Sequence, residues 1–411
     1  MLREQALIAT LALSLALAFA CGLLAVRLRL PALVGYLVAG IALGPHTPGV
    51  VADVHLAPQL ADIGVMLLLF SVGTHFSLRQ LLAVKSIAVP GALAQIVVAT
   101  ALGALAARLW GWPFGAGIVF GLALSVASTV VLLRALEERG TLATQDGQIA
   151  VGWLIVEDLV TVIALVLLPP LAGVLAVQPP LGVATADVLV RALAITLTKV
   201  AAFAALMLIV GSRIFPWILA RAARTNSREL FTLGTVALAL GVAYGASKLF
   251  GVSVGLGAFF AGMVISRSDH RAHAAGYAQP VRDIFAALFF VAVGMLFEPL
   301  VLVQRPWEVL LVLGIIVVGK AFAAFALVLL LGRPLSTALL IAAALAQIGE
   351  FSFILAVMGV DLKVLPPQGE SYIVAGALIS IALNPVFFAL VARLGRTGPV
   401  APAARRAPPQ N

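Results

Sequence analysis

The chain has 411 residues, 63% of them hydrophobic and 10% charged, with a mean hydropathy of +1.15. Soluble domains run at about 45–50% apolar and about 25% charged, and no polar stretch here is long enough for an aqueous domain. The apolar runs are continuous, not alternating, which excludes a strand barrel. The sequence therefore reads as an all-α polytopic membrane protein. The net charge of +9 would suit a nucleic-acid partner, but the placement of the basic residues points elsewhere.

In chain order, hydropathy with Pro, Gly and charge clusters as punctuation gives 13 spans. They fall at about 5–27, 31–44, 58–75, 86–108, 113–136, 146–169, 187–212, 229–248, 251–266, 280–297, 307–332, 336–359 and 371–393, at roughly 20 apolar residues per crossing. The N-terminus leads straight into the first span, with no cleavage site of a removed signal. The single cysteine, Cys21, has no internal disulfide partner.

With the N-terminus outside, 18 basic residues fall on the inner side, among them Arg27, Arg134, Arg228 and Arg282. Five (Arg3, Arg108, Lys248, Arg305 and Lys363) fall outside, and Arg191, Lys199 and Lys320 lie at or within spans. This separation is the positive-inside pattern. It orients the chain with a cytoplasmic C-terminus, the membrane expected being the cell inner membrane, and it makes nucleic-acid binding an unnecessary reading.

The sequence also repeats at an offset of 220–222 residues: Ala61-Asp62-Ile63 through Gly73 aligns with Arg282-Asp283-Ile284 through Gly294. Spans 1–6 (about 5–169) match spans 8–13 (about 229–393), joined by a connector span at about 187–212. Equivalent spans are separated by an odd number of crossings, so the copies face opposite ways. Inverted repeats of this kind occur in secondary transporters, whose sites lie at the midplane between the copies. Residues 394–411 read as a disordered cytoplasmic tail.

Ionisable residues at the bilayer centre cost about 2.5–3.5 kcal/mol each on insertion scales, so each needs a reason. The sixth span holds Glu157 and Asp158, the eleventh Lys320, and the twelfth Gln347 and Glu350. A Glu157–Lys320 bridge would lock two helices together, but it leaves an acid over. An unpaired carboxylate in a bilayer takes a proton or binds a cation, which is the chemistry of proton–cation exchange. Adding the repeat offset to Glu157 and Asp158, or subtracting it from Lys320, lands on no charge. The site is expected where the charges break the repeat.

Ser125, Ser128 and Thr129 interrupt the fifth span, and Gln347 and Glu350 interrupt its repeat mate, the twelfth. Such hydroxyls ordinarily bond back to their own helix. The matched interruption favours two locally unwound helices whose free backbone groups and dipoles help hold a cation. The five histidines show no ligand spacing, and Gly255-Leu256-Gly257 reads as close helix packing. Asp62 and Asp283, mates by repeat, are expected to cap or pair locally. Lys199 has no evident partner.

Taken together, Gly35-Tyr36-Leu37-Val38-Ala39-Gly40, Glu157-Asp158, Phe289-Phe290-Val291-Ala292-Val293-Gly294-Met295, Lys320 and Gly349-Glu350-Phe351 resemble the monovalent cation:proton antiporter-2 family, of the Kef/YbaL type. The resemblance implies a 13-helix homodimer, with a dimerisation part and a six-helix core built on two crossed, broken helices. It further implies that Asp158 carries cation and proton, and that Glu157 pairs with Lys320. Several Kef proteins have glutamine at the place of Glu157, so cation selectivity does not follow. They usually continue into an RCK-type nucleotide-binding regulatory domain, absent from this sequence, so that either the chain is truncated or this member lacks that control.

The expected activity is secondary active exchange of a monovalent cation, K⁺ or alternatively Na⁺, for protons by alternating access. No enzyme chemistry and no cofactor are expected. A gated cation channel using the same acids, or a sensor without flux, are the rival classes.

Overall fold

The computed structural model describes residues 2–48, 56–75, 78–175, 186–268 and 271–394. The expected tail lies outside them apart from Leu394. Every regular element among the described residues is a helix: α1 (Leu2–Arg27), α2 (Ala32–Leu43), α3 (Leu56–His75), α4 (Leu78–Leu109), α5 (Phe114–Ser125), α6 (Thr129–Glu138), α7 (Gln145–Leu175), α8 (Ala186–Leu206) and α9 (Ser212–Arg224). The second half continues with α10 (Arg228–Gly245), α11 (Val254–Ser266), α12 (Arg271–Leu296), α13 (Val301–Gln304), α14 (Pro306–Gly314), α15 (Ala321–Leu330), α16 (Leu335–Leu345), α17 (Glu350–Asp361) and α18 (Pro367–Leu394). Short π-helical turns at Met207–Gly211, Ala246–Phe250 and Ile315–Lys320 join α8 to α9, extend α10, and join α14 to α15.

Among the described residues, nine stretches are long and apolar enough to cross a membrane, or ten if the bent pair α16 and α17 is one span. Three shorter apolar helices, Ala32–Leu43, Gln59–Thr74 and Val254–Ser266, stand where the second, third and ninth spans are expected. A helix of 12 residues reaches only about 18 Å against a hydrocarbon core of about 30 Å. Length and composition therefore support nine or ten crossings and do not by themselves give 13.

The sequence repeat has a backbone counterpart. Pro113 before α5 and Pro334 before α16 have the same dihedrals, φ −58° and ψ 153°. Proline suits this N-cap position because its ring fixes φ, and as the residue before the helix it has no intrahelical N–H bond to lose. Two residues upstream, Gly111 and Gly332 both take left-handed backbone, with φ of 76° and 73°. Only glycine enters that region without steric cost. Arg29 and Gly251, before α2 and α11, repeat the same turn with φ of 63° and 66°. The chain is thus punctuated alike in both halves, even where the residue types differ.

The helices pack as two groups. One comprises α1–α3 and α8–α12; the other comprises α4–α7 and α14–α18. Close approach in the first group is set by glycine: a Cβ at Gly40 would strike the Val291 carbonyl, and one at Gly294 the Leu37 carbonyl. These residues belong to the glycine-rich stretches singled out in the sequence, and close helix packing is their role here. Lys199 lies beside the end of the eighth span, its Nζ 3.7 Å from where a Cβ would stand on Gly251. There the ammonium is near the negative end of a helix.

Candidate ion-binding site

Both matched interruptions are real breaks. The fifth span stops as α5 at Ser125, runs non-helical through Val126-Ala127-Ser128, and resumes as α6 at Thr129. The twelfth stops as α16 at Leu345 and resumes as α17 at Glu350, with a bend of 43°. The two breaks cross in contact. Gly349 N donates to the Val126 carbonyl at 3.3 Å. Ser128 N donates to Gln347 Oε1 at 3.0 Å, and Gln347 Nε2 returns a bond to the Ser128 carbonyl at 3.2 Å. Ser128 Oγ donates to Glu350 Oε2 at 3.2 Å. A Cβ on Gly349 would collide with the Ser128 backbone, so glycine is what lets the crossing close.

A broken helix exposes two ends of opposite polarity, positive where a half-helix begins and negative where one stops. The charges sort accordingly. Glu350 is the first residue of α17, at a positive end. Asp158 Oδ2 accepts from Thr129 Oγ1, the first residue of α6, at 3.2 Å. Glu157 Oε2 accepts from Ala127 N at 2.8 Å. At the negative ends stand donors: Lys320 Nζ on the Gln347 carbonyl at 2.6 Å, Gln95 Nε2 on the Ser125 carbonyl at 3.0 Å, and Asn384 Nδ2 on the Ala343 carbonyl at 2.8 Å.

All of these groups are buried; Glu157, Lys320, Gln347 and Gln95 have no exposed surface, and Asp158 keeps 6%. Adjacent helical residues diverge by about 100°, and the two acids of α7 do reach different partners. One oxygen of each, Glu157 Oε1 and Asp158 Oδ1, is buried and accepts no hydrogen bond. Lys320 sits at the end of the π-turn Ile315–Lys320, a distortion often found at functional sites.

The expected Glu157–Lys320 pair is not formed in this conformation. No ion pair of 4.0 Å or less joins them, because the ammonium is spent on the Gln347 carbonyl. Ser125 also differs from the reading of a polar break: its hydroxyl bonds back to the Leu122 carbonyl at 2.7 Å, within its own helix. Ser128 and Thr129 turn to the other repeat and to Asp158 instead. Gln95, Asn384 and Trp153, whose Nε1 donates to Gln95 Oε1 at 3.3 Å, were not singled out in the sequence. Their signal was a lone amide or indole in an apolar run, the weakest kind.

A cavity of about 250 Å³ opens between the two helix groups. Val162 and Leu165 line it, one and two turns beyond Asp158 on α7, together with Ile354, one turn beyond Glu350 on α17. Asp62 and Asp361 lie in its wall, from α3 and from the end of α17. Asp62, expected to cap or pair locally, therefore stands at the cavity wall, seven residues into α3. Its repeat mate Asp283 pairs locally as expected, with Arg282 at 2.6 Å.

A fixed crossing of two half-helix pairs, a buried carboxylate with an open oxygen, and an adjacent cavity suit reversible binding of a small cation or a proton. Comparison with known proteins gives the family. Residues 14–394 match the family model described as "Sodium/hydrogen exchanger, transmembrane". YbaL of Escherichia coli (strain K12), which bears a provisional cation/proton antiporter name, is 59% identical over 385 residues, covering 94% of this chain and 68% of its own. The K(+) efflux antiporter 4 of Arabidopsis thaliana is 33% identical over 379 residues, covering 91% of this chain and 61% of its own. The fold resembles the sodium proton antiporter MjNhaP1 from Methanocaldococcus jannaschii, with a TM-score of 0.73 over 96% of this chain and 99% of that one, at 15% identity. The chain belongs to the transmembrane sodium/hydrogen exchanger family.

Proposed function

We propose that this chain exchanges K⁺ for H⁺ by alternating access, with Asp158 as the carboxylate that holds either ion in turn. One observation supports this above the others. Asp158 is buried with an oxygen that accepts no hydrogen bond, and the next turns of its helix line the cavity between the two groups. A bare carboxylate is disfavoured in such surroundings by several kcal/mol. It must load a proton or a cation before its helix group moves, which suppresses the empty return step and enforces exchange. Thr129 holds its second oxygen. Glu157, fixed by Ala127 N–H, and Lys320, fixed on the Gln347 carbonyl, act as static charges around it. Ser128, Gln347 and Glu350 shape the crossing.

Both loaded forms of Asp158 have the same net charge, so a one-for-one cycle moves none. The membrane potential, worth about 2.3 kcal/mol per charge per 100 mV, then does not drive it. Relatives named for K⁺ efflux favour potassium, with Na⁺ as the alternative. The same reading includes 13 crossings, counting the three short helices, an inner-membrane homodimer, an external N-terminus and a cytoplasmic C-terminus. The basic excess on one side supports that orientation.

The test is dye-monitored proton flux in proteoliposomes under imposed K⁺, Na⁺, Li⁺ or Rb⁺ gradients. The expected result is proton movement driven by K⁺ and indifferent to an imposed potential. Charge flow without proton coupling would instead identify a channel.

A further inference from the structure

The two breaks present equivalent carbonyls. Ser125 O ends α5, and Gln347 O lies 222 positions later (347 minus 125), the spacing that also separates the bonded pair Ser128 and Glu350. Each carbonyl is taken by a buried side chain from the neighbouring long span of its own repeat: Gln95 of α4 at 3.0 Å and Lys320 of the eleventh span at 2.6 Å. Those donors are 225 positions apart (320 minus 95), within one helical turn of the repeat offset. The π-turn Ile315–Lys320 winds the second copy differently from α4 over this stretch.

We infer that Gln95 is the first repeat's counterpart of Lys320, a positioning residue that fixes the first break. The inference rests on the exchange reading above. The choice of glutamine follows from what surrounds it. Trp153 Nε1–H points at the same side chain and needs an acceptor, while the Ser125 carbonyl needs a donor. An amide supplies both; an ammonium cannot accept. The first break is therefore held without charge, and the crossing keeps a single cation, Lys320, in its second half.

What Gln95 positions is the backbone that faces the acids. Two residues beyond Ser125, Ala127 N–H bonds Glu157, and two further on, Thr129 bonds Asp158. Releasing the Ser125 carbonyl frees that segment to shift against both carboxylates. Cation affinity then falls while the chemistry of loading is unchanged.

The experiment compares wild type with Gln95→Met, which has the same length and neither donates as an amide does nor accepts from Trp153 strongly. Exchange is measured in proteoliposomes with K⁺, alongside thermal unfolding in detergent. Loss of one buried bond predicts a KM for K⁺ raised about tenfold, with kcat within about twofold. A merely structural role lowers the unfolding temperature and leaves the KM of the folded protein at the wild-type value, which would overturn the proposal. If Gln95→Met cannot be purified folded, Gln95→Asn decides: its amide sits one carbon too far back, so KM must again rise, and an unchanged KM overturns the inference. Wild type without any coupled exchange overturns the antiport reading and this inference with it. Wild-type exchange with unchanged KM in the variant overturns this inference alone.

Discussion

The two broken helices occupy equivalent places and begin from the same proline geometry, yet they are finished differently. The first stands as one span, Phe114–Glu137, across the non-helical Val126-Ala127-Ser128, and its carbonyl end is held by the neutral Gln95. The second bends by 43°, and its carbonyl end is held by the charged Lys320. Backbone is duplicated and charge is not: the left-handed turns before the helices recur, and the three acids and one lysine do not. The helix ends decide where each charge can sit. Carboxylates collect at the positive ends and the ammonium at a negative one, so in this conformation Glu157 and Lys320 each rest on a backbone group of a break.

That comparison can be broken at its closest point. Gly349→Val places branched carbons against the Ser128 backbone, and forcing the breaks apart should destabilise the protein by about 3 kcal/mol. Thermal unfolding in detergent measures it; a wild-type midpoint would mean that the crossing is looser than described.

Charged and neutral caps should differ in magnitude. Lys320→Met leaves the Gln347 carbonyl without its donor and removes the cation among three acids, which should cost about 2 kcal/mol and abolish coupled exchange. Equal stability of Lys320→Met and wild type would make the 2.6 Å bond incidental.

The hydroxyls sharpen the comparison further. Ser128 caps α6 and reaches across to Glu350, so Ser128→Ala should cost about 1 kcal/mol. The Ser125 hydroxyl bonds only within its own helix, so Ser125→Ala, which keeps the carbonyl held by Gln95, should change stability by less than about 0.5 kcal/mol. The reverse order in unfolding measurements would contradict the assignment of the two side chains.

Much of this site was legible in the sequence because buried charge is costly in a bilayer and so stands out. Glu157, Asp158, Lys320, Gln347 and Glu350 announced themselves by interrupting apolar runs, and the repeat located both breaks. Their pairings were not legible. The Gln347 carbonyl that takes Lys320 in this conformation could not be read, because side chains are visible in a sequence and the orphan carbonyls of a helix break are not. Gln95 and Asn384 were missed for the same reason: a lone amide in an apolar helix has meaning only once the carbonyl opposite it is placed. Gln95 was recoverable in principle, since a one-turn slip in the repeat aligns it with Lys320. Asp62 was seen and read as capping or pairing locally, because the cavity it lines depends on how two helix groups meet.

The central claim is that one carboxylate, Asp158, holds the proton and the cation in turn. Its most direct test is K⁺-driven proton movement in proteoliposomes containing wild type or Asp158→Asn, a side chain that can neither release a proton nor neutralise a cation. The account predicts coupled movement in the wild type, none in the variant, and the same unfolding temperature within a few degrees. Persistent coupled exchange by folded Asp158→Asn would remove Asp158 as the carrier.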